Sequence, residues 1–224
     1  METERFEESG FFVTGPVLSH DECDWVIGQL EGISFDLAGT RNLLRLPWCV
    51  ELASRIRAHA KISAFLPATA VAVQCTLFEK SNHRNWLVPW HQDLTIPVRE
   101  RVSHPDLTVW SAKEGGIYVQ PPNSVLENLV ASRLHIDDCN ADNGPLRIVP
   151  GSHRFGRHDA ESARTVRRAN GEIKCRVTRG GVVLMRPLLL HASSNATGPG
   201  QRRVLHFLFG PQTLPCGLEW PVNN

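Results

Sequence analysis

The residues best suited to chemistry in this chain are a closely spaced histidine and aspartate, His91 and Asp93, and a distant second histidine, His191. Two histidines and one carboxylate form the facial ligand set that holds Fe(II) and leaves its other coordination positions open. Two residues apart on an extended segment, His91 and Asp93 project to the same side and can reach one metal ion. The second histidine must then come from a neighbouring strand, so a long interval in the sequence is expected. The spacing predicts a metal site at these three residues.

The first part of the chain, residues 1–69, has the pattern of helices. Ser19 and Glu22 form a capping box, in which each side chain pairs with the other residue's backbone N–H at a helix start. Apolar residues then recur on one face up to Gly32, where we expect the helix to end. A second helix is predicted over residues 48–59, where apolar residues again fall in line.

From residue 70 onward the pattern changes to short apolar runs separated by turn residues. The predicted strands are Val71–Phe78, Ile117–Val119, Leu134–Ile136, Leu146–Val149, Val182–Met185 and Val204–Phe209. Pro-Pro, Asn-Gly-Pro, Pro-Gly and Gly-Gly breaks between them favour turns. Many short strands at regular spacing are typical of a sandwich or jelly roll. We therefore predict a mainly β fold, one domain over 1–224, with helical residues 1–69 flanking a jelly-roll core over 70–224.

Composition and charge exclude several classes of protein. The 224 residues are 42% hydrophobic, which is enough for a sizeable core. The formal net charge is +1, so no strong field attracts the chain to nucleic acid or to an anionic membrane. Residues 153–179 do carry eight basic residues against three acidic ones. A phosphate-bearing substrate would fit this basic segment, but a solvated loop with a short helix is the favoured interpretation.

Cysteine spacing and the chain start bear on the cellular setting. The six cysteines include no CxxC pair, so neither a disulfide scaffold nor a cysteine-rich zinc site is expected. Residues 1–9 are acidic and polar, unlike a secretory signal. The longest apolar stretch, 181–190, is interrupted and shorter than the roughly 20 residues that cross a bilayer. We expect a cytoplasmic protein that acts on a small molecule, with no nucleic-acid or membrane partner; the oligomeric state stays open.

A second His-x-Asp run, His135-Ile136-Asp137, competes with the first for the metal. With ten histidines and nine aspartates in 224 residues, about 0.4 His-x-Asp runs are expected by chance. The surrounding sequence therefore has to decide between the two runs. A jelly roll needs several strands between its two ligand positions, and the interval 93–191 holds enough predicted strands. His135 also precedes an Asn-Gly turn, which is typical of the middle of a strand pair. Both observations favour the run that starts at His91.

Several ordered pieces of the chain together resemble the phytanoyl-CoA dioxygenase family of Fe(II)/2-oxoglutarate-dependent oxygenases. The matching pieces are Phe6-Glu7-Glu8-Ser9-Gly10-Phe11, Trp90-His91-Gln92-Asp93, Asn143-Gly144-Pro145-Leu146, Pro150-Gly151-Ser152-His153, and His191 through Asn195 to Arg202. They span almost the whole chain in the family's order. The resemblance implies a double-stranded β-helix, a cupin-like jelly roll, with N-terminal flanking helices.

The resemblance also implies the ligand set and the cosubstrate. Iron would be held by His91, Asp93 and His191, and the distal carboxylate of 2-oxoglutarate would be anchored by Arg202, whose planar fork matches a carboxylate. Arg203 is the alternative anchor, because strand alternation lets only one of the two arginines face the pocket. Ser193 could add a hydroxyl to the same carboxylate.

The implied reaction uses Fe(II), 2-oxoglutarate and O₂, releases succinate and CO₂, and hydroxylates an unactivated C–H bond. Halogenating enzymes that resemble this family carry a small residue in place of the aspartate, so the presence of Asp93 favours oxygen insertion. Desaturation, cyclisation or epimerisation with the same cofactors is one alternative. A non-catalytic cupin-like protein that binds a metal or ligand is the alternative from a different class.

Further residues are candidates for the substrate pocket. Gln74 is a polar interruption of an apolar strand, Trp86 and Trp90 flank the metal motif, and Arg41 could reach an anionic group. Each also has an ordinary structural interpretation, since tryptophans near a motif are often core residues. His206 alternates with Arg202 along one strand, so it faces either the pocket or the core packing. The substrate itself is not specified, because function lies in the site and not in the fold.

Overall fold

A computed structural model of the chain describes residues 1–33 and 39–221. The helices are α1 (Glu2–Ser9), α2 (His20–Leu30), α3 (Pro47–Ala58), α4 (Ala60–Ser63), α5 (Asn123–Glu127) and α6 (Ala160–Asn170), with 3₁₀ turns at Leu43–Arg45 and Ser152–Phe155. The strands are β1 (Phe11–Val13), β2 (Gly39–Thr40), β3 (Val71–Lys80), β4 (Val88–His91), β5 (Ile96–Val98), β6 (Thr108–Lys113), β7 (Gly116–Gln120), β8 (Val130–His135), β9 (Leu146–Ile148), β10 (Ile173–Cys175), β11 (Val182–Met185), β12 (His191–Ser193) and β13 (Arg202–Gly210).

The strands form antiparallel sheets arranged as a mainly β jelly roll, as predicted. A six-stranded sheet has the order β1-β11-β8-β13-β3-β2, and a four-stranded sheet has the order β10-β9-β12-β4. A three-stranded sheet, β5-β7-β6, extends the wall of the cavity between the two larger sheets. Strands that are distant in sequence therefore lie side by side, with β13 pairing with both β3 and β8.

Strand alternation gives the six-stranded sheet two different faces. On β3, Cys75 and Leu77 pack into a core shared with the helices, whereas Thr76, Phe78 and Lys80 line the cavity. On β13, Leu205, Phe207 and Phe209 belong to that same core, whereas Arg202, His206 and Leu208 line the cavity. The chemistry-bearing face is therefore the one that the helices leave uncovered.

The helices bury the other face of this sheet. Cys23 and Val26 of α2 and Leu52 and Ile56 of α3 are all buried in the shared core. Burying a side chain of this size stabilises the fold by about 1.5–3 kcal/mol. The helical residues thus fix the position of β3 and β13, whose opposite face carries the site.

The N-terminal segment is fixed against the turn that follows β9. Gly10 ends α1 with φ 79°, and a Cβ on it would lie 2.4 Å from the ring of His153. The backbone N–H of Gly151 donates to the carbonyl of Ser9 at 2.8 Å, and the ring of His153 bonds the carbonyl of Glu7 at 3.0 Å. Two of the pieces that resemble the family therefore contact each other.

The predicted elements are largely confirmed. The capping box at Ser19 and Glu22 is present on α2, which ends at Leu30 rather than at Gly32. The second predicted helix is α3, shifted by one residue. Each predicted strand overlaps an observed one, although β8 begins at Val130, before the predicted start at Leu134. Within the described ranges, no helix is both long and apolar enough to cross a membrane.

Candidate metal centre and its pocket

The three predicted ligands lie close together beside the cavity, on or next to strands β4 and β12 of the four-stranded sheet. His91 ends β4, His191 begins β12, and the two are direct partners in the ladder between these strands. Asp93 follows β4 in extended backbone, with its carboxylate 3.8 Å from Nε2 of His91 and 3.7 Å from Nε2 of His191. One potential ligand atom from each residue lies within 4.8 Å of the others.

Backbone carbonyls orient both ligand imidazoles. Nδ1 of His91 bonds the carbonyl of Pro89 at 2.8 Å, and Nδ1 of His191 bonds the carbonyl of Leu189 at 2.9 Å. Because a carbonyl only accepts, Nδ1 carries the hydrogen in each ring and Nε2 keeps its lone pair. Both lone pairs face Asp93. This is how metal-binding histidines are held, so the three residues fit a divalent ion.

The buried ligand is held in the protonation state that a metal requires. Burial lowers the pKa of His191 to about 4, outweighing the carboxylate of Asp93, which acts in the opposite direction. His191 is therefore neutral near pH 7. A neutral imidazole is ready to bind a metal without first losing a proton.

Gln92, between the two ligands of the motif, fastens the motif to the segment before His191. Its amide nitrogen donates to the carbonyl of Leu188 at 2.6 Å and to that of Gly156 at 2.8 Å. Its amide oxygen accepts from the backbone N–H of His158 at 2.8 Å. The N–H of Asp93 also donates to the carbonyl of Pro187 at 2.9 Å. The two ligand-bearing segments are thereby held in register independently of the β4–β12 ladder.

A cavity of about 460 Å³ opens beside these ligands, between the sheets. Apolar side chains make up much of its wall: Phe78, Trp86, Val88, Leu94, Ile96, Leu126, Leu129, Leu146 and Leu208. Its basic side chains are Arg41, Lys80, Lys113, Arg133 and Arg202, and the acidic residue of the described lining is Asp93. Such a cavity, apolar with a few convergent polar groups, is typical of a small-molecule site.

Three polar side chains cluster where the two larger sheets face each other, Arg202 and Lys80 on the six-stranded sheet and Ser193 on β12. Arg202 and Lys80 are direct partners across the β13–β3 ladder, and each is at most 3% exposed. The ammonium of Lys80 donates to Oγ of Ser193 at 2.7 Å, and that hydroxyl donates to the carbonyl of Gly144 at 2.9 Å. Nε of Arg202 is buried and has no hydrogen-bond partner among residues 1–33 and 39–221. An unpartnered buried guanidinium nitrogen fits a carboxylate that comes from outside the chain.

Burial and neighbouring positive charges favour the neutral form of Lys80. Burial lowers the pKa of Lys80 to about 7, and the nearby charges of Arg202 and Arg133 act in the same direction. A bound carboxylate would oppose both effects. Gly144 leaves room for this cluster, because a Cβ on it would lie 2.5 Å from the carbonyl of Ser194 and 3.1 Å from Nζ of Lys80.

The structure separates the two adjacent arginines. Arg202 faces the cavity, whereas Arg203 points to the other side of β13 and forms a two-pronged ion pair with Asp137, at 2.7 and 2.8 Å. Asp137 also accepts from the backbone N–H of Arg203 at 2.8 Å. Arg203 is thus fully occupied by the carboxylate of the competing motif.

That competing motif does not form a metal site. His135 is 1% exposed in the middle of the six-stranded sheet, where Val204 of β13 is its ladder partner. Burial lowers the pKa of His135 well below its usual range. Asp137 lies beyond the strand and binds Arg203. The preference for His91 over His135 agrees with this geometry.

His206 faces the cavity rather than the core packing. Nη1 of Arg133 donates to Nδ1 of His206 at 2.8 Å, so the hydrogen of the ring lies on Nε2, which is 4.0 Å from the carboxylate of Asp93. Burial and, to a smaller extent, the charge of Arg133 together lower the pKa of His206 to about 3. A neutral, oriented imidazole therefore lies beside the metal-ligand carboxylate.

The candidate pocket residues divide in two. Gln74 and Arg41 line the cavity; Gln74 donates to Oγ1 of Thr76 at 2.7 Å, and Arg41 pairs with Glu114 at 2.8 Å. The prediction for Trp90 is wrong, since its ring lies outside the cavity lining, where the guanidinium of Arg167 covers it at 4.3 Å from the ring centre. The reason is strand alternation, because His91 projects into the cavity and its neighbour therefore projects away.

Trp86, the other tryptophan that flanks the metal motif, does line the cavity. The basic segment 153–179 contributes none of the described lining residues of this cavity, in line with its interpretation as a surface element. Within it, Arg167 also pairs with Glu172 at 3.6 Å.

Sequence reasoning missed three basic residues of the cavity: Lys80, Lys113 and Arg133. Lys80 and Arg133 each stand in a strand whose other residues are mostly apolar, and a charge inside such a run is the signal that could have indicated them. No such signal marks Lys113, which lies at the end of the polar strand β6.

Comparisons with known proteins agree with the fold. EctD from S. alaskensis, solved with 2-oxoglutarate and 5-hydroxyectoine, superposes with a TM-score of 0.68 at 18% identity, covering 98% of this chain and 80% of that one. HygX from Streptomyces hygroscopicus, solved with nickel and 2-oxoglutarate, gives 0.64 at 15% identity, covering 95% and 87%. AviO1 from Streptomyces viridochromogenes Tue57 gives 0.62 at 23% identity, covering 96% and 95%.

The sequence itself gives the family. A search of curated protein sequences found no match. The sequence profile described as phytanoyl-CoA dioxygenase (PhyH), however, matches residues 6–204, which contain all three predicted metal ligands and Arg202. The chain belongs to the phytanoyl-CoA dioxygenase family.

Proposed function

We propose that the chain is an Fe(II)- and 2-oxoglutarate-dependent dioxygenase that hydroxylates an unactivated C–H bond of a small-molecule metabolite, releasing succinate and CO₂. The observation that carries this proposal is the placement of two sites in one cavity. A two-histidine, one-carboxylate set lies on the four-stranded sheet, and an anion site at Arg202 and Lys80 lies on the sheet that faces it.

His91, Asp93 and His191 are the residues that would hold the metal, since both imidazoles present Nε2 toward the carboxylate. Bound iron, with 2-oxoglutarate and O₂, would supply the oxidising chemistry. The contribution of the chain is positioning. Gln92 and the two carbonyls that fix the imidazoles keep the three ligands on one side, so the positions facing the cavity stay open.

Arg202, Lys80 and Ser193 would hold the distal carboxylate of 2-oxoglutarate. When the carboxylate binds, these buried donors would form charge-assisted hydrogen bonds with it, and the repulsion between the two like charges would be relieved. Such hydrogen bonds are about twice as strong as neutral ones. HygX and EctD have each been solved with 2-oxoglutarate, which supports this use of the fold. The apolar walls exclude water from the reacting centre and strengthen electrostatic interactions there.

Succinate formation tests the proposal. We expect the full-length wild-type chain to release succinate from 2-oxoglutarate in the presence of Fe(II) and O₂, and His91→Ala to lose this activity. His83→Ala is the matched control, because His83 is exposed and outside the cavity lining. Equal consumption of 2-oxoglutarate by His91→Ala and the wild type would contradict the enzymatic proposal. The metal-binding or ligand-binding alternative would then be favoured.

The fate of labelled oxygen distinguishes hydroxylation from the other outcomes. With oxygen-18 gas, hydroxylation places one labelled atom in succinate and one in the product. Desaturation, cyclisation or epimerisation leaves the product unlabelled. Mass spectrometry of both molecules from one reaction therefore separates the proposal from its alternatives with the same cofactors.

A further inference from the structure

The cavity holds more positive charge than the proposed cofactors can neutralise. Four basic residues line it without a carboxylate within 4.0 Å among residues 1–33 and 39–221: Lys80, Lys113, Arg133 and Arg202. Arg41 differs, because Glu114 neutralises it. The acidic group of the described lining is Asp93.

Iron and 2-oxoglutarate leave this excess in place. The two positive charges of Fe(II) offset the two negative charges of 2-oxoglutarate, and Asp93 offsets one of the four basic residues. Arg202 and Lys80 are the cations beside Ser193, where the distal carboxylate would bind. Three of the four positive charges are then left over, and Arg133 and Lys113 are the two basic residues outside the Arg202 and Lys80 pair. Leaving these two without an anion in a partly apolar cavity is costly for the fold.

Of these two, Lys113 is the one positioned to meet a substrate. Arg133 is buried in the six-stranded sheet, where it bonds His206 and lies over the ring of Phe78. Lys113 ends β6, on the three-stranded sheet, away from the Arg202 and Lys80 pair. Its ammonium donates to Oγ1 of Thr95 at 3.0 Å, two residues beyond the metal-ligand aspartate.

The ammonium of Lys113 is also fixed in direction. It lies 4.8 Å from the ring centre of Tyr118, a side chain that lines the same cavity. A cation over an aromatic face gains about 0.5–1 kcal/mol at an exposed site and more when desolvated. One hydrogen bond and one ring leave donors free, since an ammonium carries three hydrogens.

We infer that the substrate carries an anionic group, a carboxylate or a phosphate, and that Lys113 binds it at the wall of the cavity opposite the 2-oxoglutarate anchor. This inference rests on the proposed function. It deepens that function by naming the chemical class of the substrate and a residue that selects it.

The electrostatic state of Lys113 supports the assignment. Burial lowers its pKa and the positive charge of Arg41 acts in the same direction, whereas the carboxylate of Asp93 only partly offsets them. An anion bound to Lys113 would oppose both of these effects and raise the pKa of Lys113 toward its usual value.

Matched probes test the inference in the assembled site. The full chain is loaded with Ni(II) and saturated with 2-oxoglutarate, the combination present in the HygX structure. Thermal denaturation is then followed with hexanoate and hexanamide, with benzoate and benzamide, and with inorganic phosphate. We expect each acid to bind at least about tenfold more tightly than its amide, because a charge-assisted bond replaces a neutral one. The comparison of phosphate with the carboxylates identifies which anion the site prefers.

Substitutions assign the selectivity to one side chain. Lys113→Gln should lose the preference for acids, and Lys113→Arg should retain most of it. The control is Lys174→Gln, which removes an exposed lysine outside the cavity lining. Acids that bind no more tightly than their amides, or an undiminished preference in Lys113→Gln, would overturn the inference.

A calorimetric titration of 2-oxoglutarate into the Ni(II)-loaded chain distinguishes failure of the anionic-substrate inference from failure of the proposed function. If 2-oxoglutarate binds and the acids show no advantage, the anionic substrate is refuted while the proposed function stands. If 2-oxoglutarate does not bind, the proposed function fails, and the inference fails with it.

Discussion

Two runs of this chain have the same His-x-Asp spacing and opposite roles. His91 ends an edge strand of the four-stranded sheet beside the cavity, whereas His135 is buried at the end of β8, within the six-stranded sheet. The carboxylate of Asp93 faces two histidines, and that of Asp137 is held by Arg203. Spacing alone therefore does not make a ligand set; the partner strand and the free lone pairs do.

The middle residues of the two runs differ just as clearly. Gln92 makes three hydrogen bonds that tie its run to the segments around Gly156 and Leu188. Ile136 is a fully buried apolar residue of the core that the sheet shares with the helices. Gln92 therefore fixes the directions of the two ligands on either side of it, whereas Ile136 contributes to the packing of the core.

The largest expected effect is on metal binding, which His191→Ala should weaken strongly and His135→Ala should leave unchanged. A structural metal site gains about 10–16 kcal/mol from about four ligands, so losing His191 in His191→Ala should weaken metal binding about 100- to 1,000-fold. His135→Ala should keep the metal affinity and instead lower the free energy of unfolding by about 2–4 kcal/mol through the cavity it leaves. Metal titration and chemical denaturation of both variants measure the two effects. Loss of metal binding in His135→Ala alone would reverse the comparison.

The second-largest expected effect concerns the adjacent arginines Arg202, which faces the cavity, and Arg203, which pairs with Asp137. Arg202→Ala should raise the Kd of 2-oxoglutarate by about 30- to 150-fold, because removing one partner of a buried charge pair costs at least about 2–3 kcal/mol. Arg203→Ala leaves Asp137 unpaired and should instead reduce the free energy of unfolding by about 1–3 kcal/mol. Calorimetry with 2-oxoglutarate and urea denaturation measure the two effects. The opposite ordering of the two Kd values would assign the anchor to Arg203.

Much of this arrangement could be predicted from the sequence. The 3.6-residue periodicity after Ser19 and the short apolar runs from Val71 onward predict the helices and most strands, because burial imposes these patterns. The metal ligands could also be predicted, because the long interval from Asp93 to His191 and the ordered pieces that resemble the family add to a spacing that is unspecific by itself. Strands β4, β5 and β12, which carry or flank the metal ligands, escaped prediction because they are short and interrupted by His or Pro.

That the basic residues meet in one cavity could not be predicted, for a topological reason. Lys80 and Ser193 are 113 residues apart in sequence and meet because β3 and β12 lie in facing sheets. Trp90 lies next to His91 on β4 and faces away from the cavity, because successive side chains of a strand point to opposite sides. Local patterns predict which residues share a face, but not what faces them.

Gln92 allows the comparison to be tested without touching a ligand. Gln92→Leu keeps the side-chain volume but removes the bonds to Leu188, Gly156 and His158, so we expect metal affinity to fall about 10- to 100-fold, the usual cost of losing a residue that orients a ligand. Ile136→Val is the matched change in the other run and should cost about 0.5–1.5 kcal/mol of stability with no change in metal affinity. Metal titration of both variants decides the matter. An unchanged affinity in Gln92→Leu would show that the β4–β12 ladder positions the ligands by itself.

The smallest expected effect is a pH dependence of 2-oxoglutarate binding through Lys80. Because its pKa is lowered to about 7, Lys80 is charged at pH 6 and mostly neutral at pH 8 in the ligand-free protein. A bound carboxylate favours the ammonium, so binding above pH 7 must take up a proton, and the Kd should rise by up to about tenfold from pH 6 to pH 8. His191, with a pKa of about 4, stays neutral throughout this range. Lys80→Met should bind 2-oxoglutarate more weakly at pH 6 and lose this dependence, whereas Lys174→Met should retain it, as calorimetry at several pH values would measure. A Kd that is the same at both pH values in the wild type would mean that Arg202 and Ser193 hold the carboxylate without the charge of Lys80.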